Sequence, residues 1–137
     1  MTREIEIKIG DTIVVATLLE KEAPKICEAI WNILPFENEA HPAKIAGLEI
    51  YFMAVPNILV EEMENPVQVH DVPPGTVSYY PPRPYIQIFL GELLGTWNVT
   101  VNAFARITEN LEGAREAAMR AYVKPGEKVI VRKRVRE

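Results

Sequence analysis

"PPGTVSYYPPRPYIQIFLGE", residues 73–92, carries five of the chain's 11 prolines around two runs of aromatic and β-branched residues. Proline fixes φ and lacks a backbone N–H, so it collects at the starts, edges and turns of strands. The stretch therefore predicts two short strands, Thr76 to Tyr80 and Tyr85 to Leu90, joined by a stiff, irregular connection. Connections of this kind often build functional sites.

The rest of the chain predicts further strands and two helices. Isoleucines alternate with charges from Ile5 to Ile9, and "GD" then leads into an apolar run, which is typical of a hairpin. Pro24 favours the start of one helix, and Asn110 can cap a second. We expect strands in "LEIYFMAV", "NVTVNAFARI" and "KVIVRKRVR" and a loop in "FENEAHPAKIAG". Since strands predominate, the sequence predicts a mainly β fold, a closed barrel of about eight strands capped by two α-helices.

Length and charge exclude several classes of protein. The 137 residues fit one domain, 1–137, with enough apolar residues for a core. The net charge of −4 argues against nucleic acid or an anionic membrane as the partner. No apolar run approaches the roughly 18 residues of a membrane span. Cys27 is the single cysteine, which excludes an internal disulfide and indicates a cytoplasmic location.

Common catalytic and cofactor signatures are absent from the sequence. His41 and His70 lack metal-site spacing and are predicted to be loop residues. Ser78 is the only serine and lacks a nucleophile-elbow setting, and the seven glycines form no phosphate loop. We expect no cofactor and no metal. The glutamates at 61, 62 and 64 are predicted to form a solvated face.

Several motifs resemble those of the cyclophilins. "APKICEAIW", "VHDVPPGTVSYY" and "ARITENLEGAREA" resemble the family's first helix opening, its His-x-x-Pro-Gly strand and its passage from strand to second helix. The chain resembles still more closely the small prokaryotic cyclophilin-like proteins of uncharacterised function, in "CEAIWNILP", "EIYF" and "PPGTVSYYPP". The resemblance covers most of the chain and implies the same barrel fold.

The resemblance also implies a ligand pocket. Cyclophilins hold a substrate proline with a Phe-Met pair followed by Gln, and this chain has Phe52 and Met53 but Val55 at the Gln position. The family's Gln-x-Phe pair corresponds to Gln87 and Phe89. Trp97, eight residues after Phe89, matches the family's tryptophan, and the pocket histidine falls near Asn102. Tyr80, at the end of the first predicted strand, and Arg83, on the proline-rich connection, are further candidates to orient a ligand. The candidate ligand pocket therefore comprises Phe52, Met53, Tyr80, Arg83, Gln87, Phe89, Trp97 and Asn102.

The catalytic arginine that the resemblance implies is missing, because Gly47 stands at its position. Rotation of an Xaa-Pro bond must cross a barrier near ~20 kcal/mol. By analogy with a removed oxyanion donor, loss of the guanidinium costs about 2–4 kcal/mol of transition-state stabilisation. That corresponds to roughly two to three orders of magnitude in rate. Arg83, on the proline-rich connection, is a candidate to reach a bound ligand from another direction. Lys44 is a second candidate, but it carries a point charge without the planar fork of a guanidinium.

Three hypotheses follow from the sequence. The first is a binding domain for a small apolar ligand or a prolyl peptide, without efficient isomerase activity. The second is a weak peptidyl-prolyl isomerase that uses Arg83 or Lys44 in place of the missing arginine. The third is a homo-oligomeric structural subunit whose pocket is filled by its own side chains.

Overall fold

The computed structural model describes residues 2–43, 47–91 and 99–134. Within them the chain forms ten strands and two α-helices, with a single 3₁₀ turn at Val69–Asp71. The elements, in chain order, are β1 (Glu4–Ile9), β2 (Thr12–Leu18), α1 (Pro24–Ile33), β3 (Phe36–Glu39), β4 (His41–Pro42), β5 (Glu49–Met53), β6 (Pro66–Gln68), β7 (Thr76–Tyr80), β8 (Tyr85–Phe89), β9 (Thr100–Glu109), α2 (Leu111–Val123) and β10 (Lys128–Arg134). The mainly β class and the two helices are confirmed.

The strands form one antiparallel sheet in the order β3-β10-β1-β2-β9-β7-β8-β5-β4, and β6 pairs with β9. Ten strands replace the expected eight because short pairings add to the main sheet. No hydrogen-bonded ladder joins β3 to β4 within the described residues, although the rings of Phe36 on β3 and Phe52 on β5 lie 6.3 Å apart. Closure of the barrel stays a prediction.

The loop predicted for "FENEAHPAKIAG" was wrong over much of its length. Phe36 to Glu39 pair with β10, where Phe36 lies opposite Val131. His41, also predicted to lie in a loop, belongs to β4 and pairs with Tyr51. An edge strand leaves one side of its backbone and most of its side chains in solvent, so its composition is polar and resembles that of a loop. His70 lies in the 3₁₀ turn.

The proline-rich hairpin has the predicted form. Strands β7 and β8 pair from Thr76 opposite Phe89 to Tyr80 opposite Tyr85. The prolines at 81, 82 and 84 lie in the connecting turn, outside the ladder, and the Arg83 amide donates to the Tyr80 carbonyl at 3.3 Å. The chain can therefore turn tightly here without losing a ladder hydrogen bond to proline.

Two apolar clusters lie on opposite faces of the sheet. The main core contains Phe52, Tyr79 and Phe104 together with the buried faces of α1 and α2. A smaller second cluster contains Phe89 and Val101 with Val69 and Val72. Alternate residues of a strand point to opposite faces. We call the side of β5 and β8 that faces away from the main core the outer face.

The helices begin at Pro24 and Leu111, as the capping signals predict. The Asn110 side chain accepts a hydrogen bond from the Gly113 amide at 3.1 Å. At α1 the residue before the helix offers no side-chain cap. The Glu64 carboxylate takes that role, accepting from the amides of Lys25 at 3.0 Å and Ile26 at 2.8 Å. Glu64 was predicted to be part of a solvated acidic face, and it instead caps a distant helix.

Glu64→Ala is expected to lower the free energy of unfolding by about 1–2 kcal/mol, because two amides at the positive end of α1 lose their acceptor. Urea unfolding measures the change. Glu61→Ala is the matched control, since Glu61 is an exposed glutamate of the same segment. Equal effects of the two substitutions would show that Glu64 does not cap α1.

No helix among the described residues is both long and apolar enough to cross a membrane.

Candidate functional site

The candidate site is a cleft on the outer face, beside the ends of β5 and β8. Its volume is about 250 Å³. We call it the aromatic cleft, and it is lined by Asn38, His41, Tyr51, Phe52, Met53 and Tyr85. These residues come from four different strands, so the cleft depends on the pairing of β4 with β5 and of β5 with β8.

Three rings form a row in the cleft. The centroids of Tyr51 and Tyr85 are 4.6 Å apart with a tilt of 41°, and those of His41 and Tyr51 are 5.5 Å apart with a tilt of 33°. Such tilted arrangements suit the quadrupoles of aromatic rings. Burial raises the pKa of the Tyr51 hydroxyl, and the nearby Tyr85 and Glu49 raise it further. Tyr51 is therefore a neutral hydrogen-bonding ring over the physiological range.

Met53 and Asn38 complete the rim of the cleft. The Met53 side chain is 44% exposed, a large apolar group left open to solvent. The Asn38 side chain donates to the Met53 carbonyl at 2.8 Å, which fixes the end of β5 against β3. A thioether beside tyrosine rings offers a polarisable, adaptable surface to an apolar or aromatic ligand.

A buried polar row lies on the same outer face, next to the cleft. Ser78 on β7 lies opposite Gln87 on β8, and Glu49 on β5 lies diagonally from Gln87, opposite Phe89. The Ser78 hydroxyl donates to the Gln87 carbonyl oxygen at 3.0 Å. Burial raises the pKa of Glu49 to about 8, and a hydrogen bond from Gln87 to the carboxyl opposes part of that rise.

Glu49 was not among the residues that we predicted for the site. The only signal in the sequence is one acidic residue inside the apolar run "LEIYFMAV". An acid in such a run is more often on the exposed face of a strand. In the structure Glu49 is only 3% exposed.

The structure brings some of the predicted site residues together and separates others. Phe52 and Met53 both border the aromatic cleft, although the Phe52 ring is buried in the main core. Gln87 is buried beside Glu49 and does not line the cleft. Phe89 lies in the second cluster, with Tyr80 packed against it. Phe52 and Phe89 are thus on opposite faces of the sheet and cannot clasp one ligand between their rings.

The remaining predicted residues have separate positions. Asn102 is buried, accepts from the Glu64 amide at 3.0 Å and donates to the Tyr79 carbonyl at 3.3 Å, so it holds the strand interior together. Arg83 is exposed on the turn that precedes Tyr85, and its guanidinium has no partner among the described residues. Trp97 and Lys44 lie outside the described residues. Gly47 adopts φ +94° and its carbonyl accepts from the Tyr122 hydroxyl.

A larger concavity of about 720 Å³ lies at the end of α2. Its described lining combines the exposed side chains of Met119 and Val123 with an ion pair of 3.0 Å between Arg120 and Glu127. Both charges of that pair are already matched, and none of the described lining residues is aromatic. Ligand sites combine an apolar wall with a few convergent polar groups, so the aromatic cleft is the stronger candidate.

Within residues 2–43, 47–91 and 99–134, no three side chains of His, Cys, Asp or Glu are grouped closely enough to hold a metal ion. Cys27 is buried, and its thiol donates to the Phe104 carbonyl at 3.3 Å. Burial raises the pKa of this thiol to about 12, so it is no nucleophile.

Comparisons with known proteins agree with the observed fold. A family model described as cyclophilin-like matches residues 3–132. The structure of McbB in complex with tryptophan is similar, with a TM-score of 0.84 and 22% identity over 97% of this chain and 45% of the McbB chain. The solution structure of the hypothetical protein AF2241 from Archaeoglobus fulgidus has a TM-score of 0.72 and 27% identity, over 97% of this chain and 95% of that one. This chain therefore spans less than half of the McbB chain. A search of curated proteins found no match.

Proposed function

The chain belongs to the cyclophilin-like family, and we propose that it is a binding domain whose aromatic cleft holds a small aromatic ligand. The row formed by His41, Tyr51 and Tyr85, with the exposed Met53 beside it, carries this proposal. The volume of about 250 Å³ falls just below the range of about 300–1,000 Å³ that drug-sized ligands occupy. A ligand of one ring system, or one side chain of a peptide, suits this size.

McbB was solved in complex with tryptophan, so tryptophan is the first ligand to test. At 22% identity and 45% coverage of McbB, the similarity supports a shared fold and leaves the ligand of this chain as our proposal. The rings of the cleft offer offset or edge-to-face contacts to an indole, each worth about 0.5–1.5 kcal/mol beyond simple burial.

We expect L-tryptophan to shift the NMR signals of Tyr51, Met53 and Tyr85, and both Tyr51→Leu and Tyr85→Leu to weaken binding about tenfold. Leucine keeps apolar volume and removes the ring, and a tenfold loss corresponds to about 1.4 kcal/mol. Met119→Leu, in the concavity at the end of α2, is the control and should leave affinity unchanged. Shifts confined to residues 119–127 would move the site to that concavity.

A second candidate function is weak prolyl isomerisation, favoured by Arg83, which is close to Tyr85 in the chain and whose guanidinium has no partner in the described part of the protein. A cyclophilin-type mechanism requires a hydrogen bond that is stronger in the twisted transition state than in the planar ground state. Exchange spectroscopy on Ala-Xaa-Pro-Ala peptides tests it. Acceleration of cis–trans exchange that disappears in Arg83→Ala would support the isomerase, whereas binding of the peptide without acceleration would support the binding domain.

The third hypothesis, a homo-oligomeric subunit, has its own signature. It predicts a molecular size that rises with concentration and no thermal stabilisation by either tryptophan or a prolyl peptide. A ligand that binds only the folded state raises the melting temperature. Stabilisation by tryptophan in a protein of constant size would therefore contradict the oligomer hypothesis and support the binding domain.

A further inference from the structure

The last two turns of α2 present large apolar side chains to solvent. Met119 is 61% exposed and Val123 is 87% exposed. The two residues are four positions apart, so they lie on the same face of the helix, about 6 Å apart along its axis. Both line the concavity at the end of α2. Neighbouring exposed apolar groups beside a concavity are typical of a surface that another protein molecule covers.

Two exposed charges lie on either side of this apolar pair. Glu116 comes one turn before Met119, and Lys124 directly follows the last residue of the helix. Within residues 2–43, 47–91 and 99–134, neither side chain forms an ion pair or a hydrogen bond. We call Glu116, Met119, Val123 and Lys124 the α2 face. Its order along the chain is anion, apolar, apolar, cation.

The α2 face is complementary to itself in an antiparallel arrangement. A two-fold axis that passes between Met119 and Val123, at the level of Ala121, places Met119 of one copy against Val123 of a second copy. Glu116 precedes that level by five residues, and Lys124 follows it by three. Because an α-helix rises about 1.5 Å per residue, Glu116 of one copy is then only about 3 Å along the axis from Lys124 of the second copy. The two-fold axis repeats every contact, so the interface has two such ion pairs.

The charges also select this arrangement over a parallel one. In a parallel pair the two Glu116 carboxylates would lie together, and so would the two Lys124 ammonium groups. Like charges in contact weaken an interface. The flexible Met119 side chain of the second copy can fill the irregular concavity beside Val123. Since only the ends of two helices meet, we expect the association to be weak.

We propose that the α2 face is a homodimer interface, in which a second copy of the chain packs antiparallel across a two-fold axis near Ala121. None of its four residues lines the aromatic cleft, so the dimer is compatible with a ligand in each copy. The dimer therefore differs from the third hypothesis above, in which the subunit has no open pocket. It stands or fails independently of the proposed function.

Sedimentation velocity between about 10 µM and 1 mM protein tests the association. The weight-average mass should rise from that of one chain toward that of two chains and no further, because a two-fold interface is closed. Val123→Glu places an acid against the apolar pair and should weaken dimerisation about tenfold or more. Leu59→Glu is the matched control, since Leu59 is 89% exposed on the connection between β5 and β6. It should leave dimerisation unchanged.

Charge reversal tests the antiparallel register. Glu116→Lys alone puts two lysines in each contact, and Lys124→Glu alone puts two glutamates there. Each variant should therefore dimerise about tenfold more weakly than wild type. An equal mixture of the two variants can form a mixed dimer in which both contacts pair lysine with glutamate, so association should return. Wild type has a net charge of −4 and both variants stay net negative, so general attraction between them cannot produce this rescue.

Each outcome supports the interface or overturns it. A mass that stays at one chain up to about 1 mM overturns it, and so does a mass that rises beyond two chains. A dimer that survives Val123→Glu, or that weakens equally in Leu59→Glu, uses another surface. Reversal variants that fail to associate when mixed would overturn the antiparallel contact. Because both substituted side chains are exposed, Val123→Glu and Leu59→Glu should unfold in urea as wild type does, which separates loss of the dimer from loss of the fold.

Discussion

Glu49→Gln is expected to leave stability unchanged in acid and to stabilise the protein strongly in mild alkali. Burial raises the pKa of Glu49 to about 8 in the folded state, against 4.5 for an ordinary glutamate. Below pH 4.5 the folded and unfolded states both hold the proton. Between these two values only the folded state holds it, so each pH unit lowers the free energy of unfolding by about 1.4 kcal/mol. Above about pH 8 the free energy of unfolding of the wild type is lower by on the order of 5 kcal/mol, whereas the glutamine variant has no titrating proton at this position and keeps its stability.

Urea unfolding of wild type and variant at about pH 5, 7 and 9 measures this divergence through the midpoint and slope of each transition. Glu61→Gln, at an exposed glutamate, is the control and should run parallel to wild type. Parallel curves for Glu49→Gln would instead mean that the Glu49 carboxyl titrates normally in the folded protein.

Glu6 affects the free energy of unfolding at acid pH, and its contribution changes with pH in the direction opposite to that of Glu49. A hydrogen bond from Arg132 lowers the pKa of Glu6, burial opposes that shift, and a bond from Arg134 adds to it. A lowered pKa gives stability that is present above the ordinary value and is lost as the pH falls through the folded one. The Glu6 contribution therefore declines below the pH window in which Glu49 acts. From these two acids alone, we expect the free energy of unfolding of the wild type to be largest near the ordinary glutamate pKa of 4.5, between the pH windows of Glu6 and Glu49.

Local sequence signals predicted the elements that depend on neighbours in the chain. The β1–β2 hairpin, the start of α1 at Pro24, the Asn110 cap of α2 and the β7–β8 pair were all predicted correctly. In each case a turn, a cap or a periodic pattern lies within a few residues of the element it defines.

The missed features depend on partners far along the chain. Strand β3 exists because β10 pairs with it, and β6 because β9 does. The cap of α1 comes from Glu64, 38 residues beyond Ile26. Such short edge strands and remote caps have no periodicity of their own, and only tertiary pairing creates them.

The sequence also predicted only part of the candidate site. The resemblance to cyclophilins placed Phe52 and Met53 at a site, and both border the aromatic cleft. His41 and Tyr51 were missed because their rings meet only through the pairing of β4 with β5. The burial of Glu49 likewise follows from packing across several elements. Sequence reasoning finds ligand-binding residue types more readily than the strand faces on which they meet.

Phe52→Ala and Met53→Ala are expected to have opposite kinds of effect, although the two residues are adjacent. Phe52 is 1% exposed and packs against Phe36 in the main core. Its truncation should lower the free energy of unfolding by about 3–5 kcal/mol, through lost burial and the cavity left behind. Met53 is 44% exposed on the outer face, so Met53→Ala should cost less than about 1 kcal/mol.

Ligand binding reverses the order of the two variants. Met53→Ala removes the thioether from the rim of the cleft and should weaken tryptophan binding about threefold to tenfold, while the fold stays intact. Phe52→Leu, which retains most of the core volume, isolates the binding role of Phe52 from its structural one and should change affinity less than Met53→Ala does. Chemical denaturation measures the stability of the three variants, and calorimetry measures their affinity for tryptophan.

If Phe52→Leu weakened binding more than Met53→Ala, the ligand would contact the Phe52 ring and the main core itself would form part of the binding surface. Since the pleat of β5 turns Phe52 inward and Met53 outward, we expect the two residues of the Phe-Met pair to have separate roles, with the first serving the fold and the second serving the ligand.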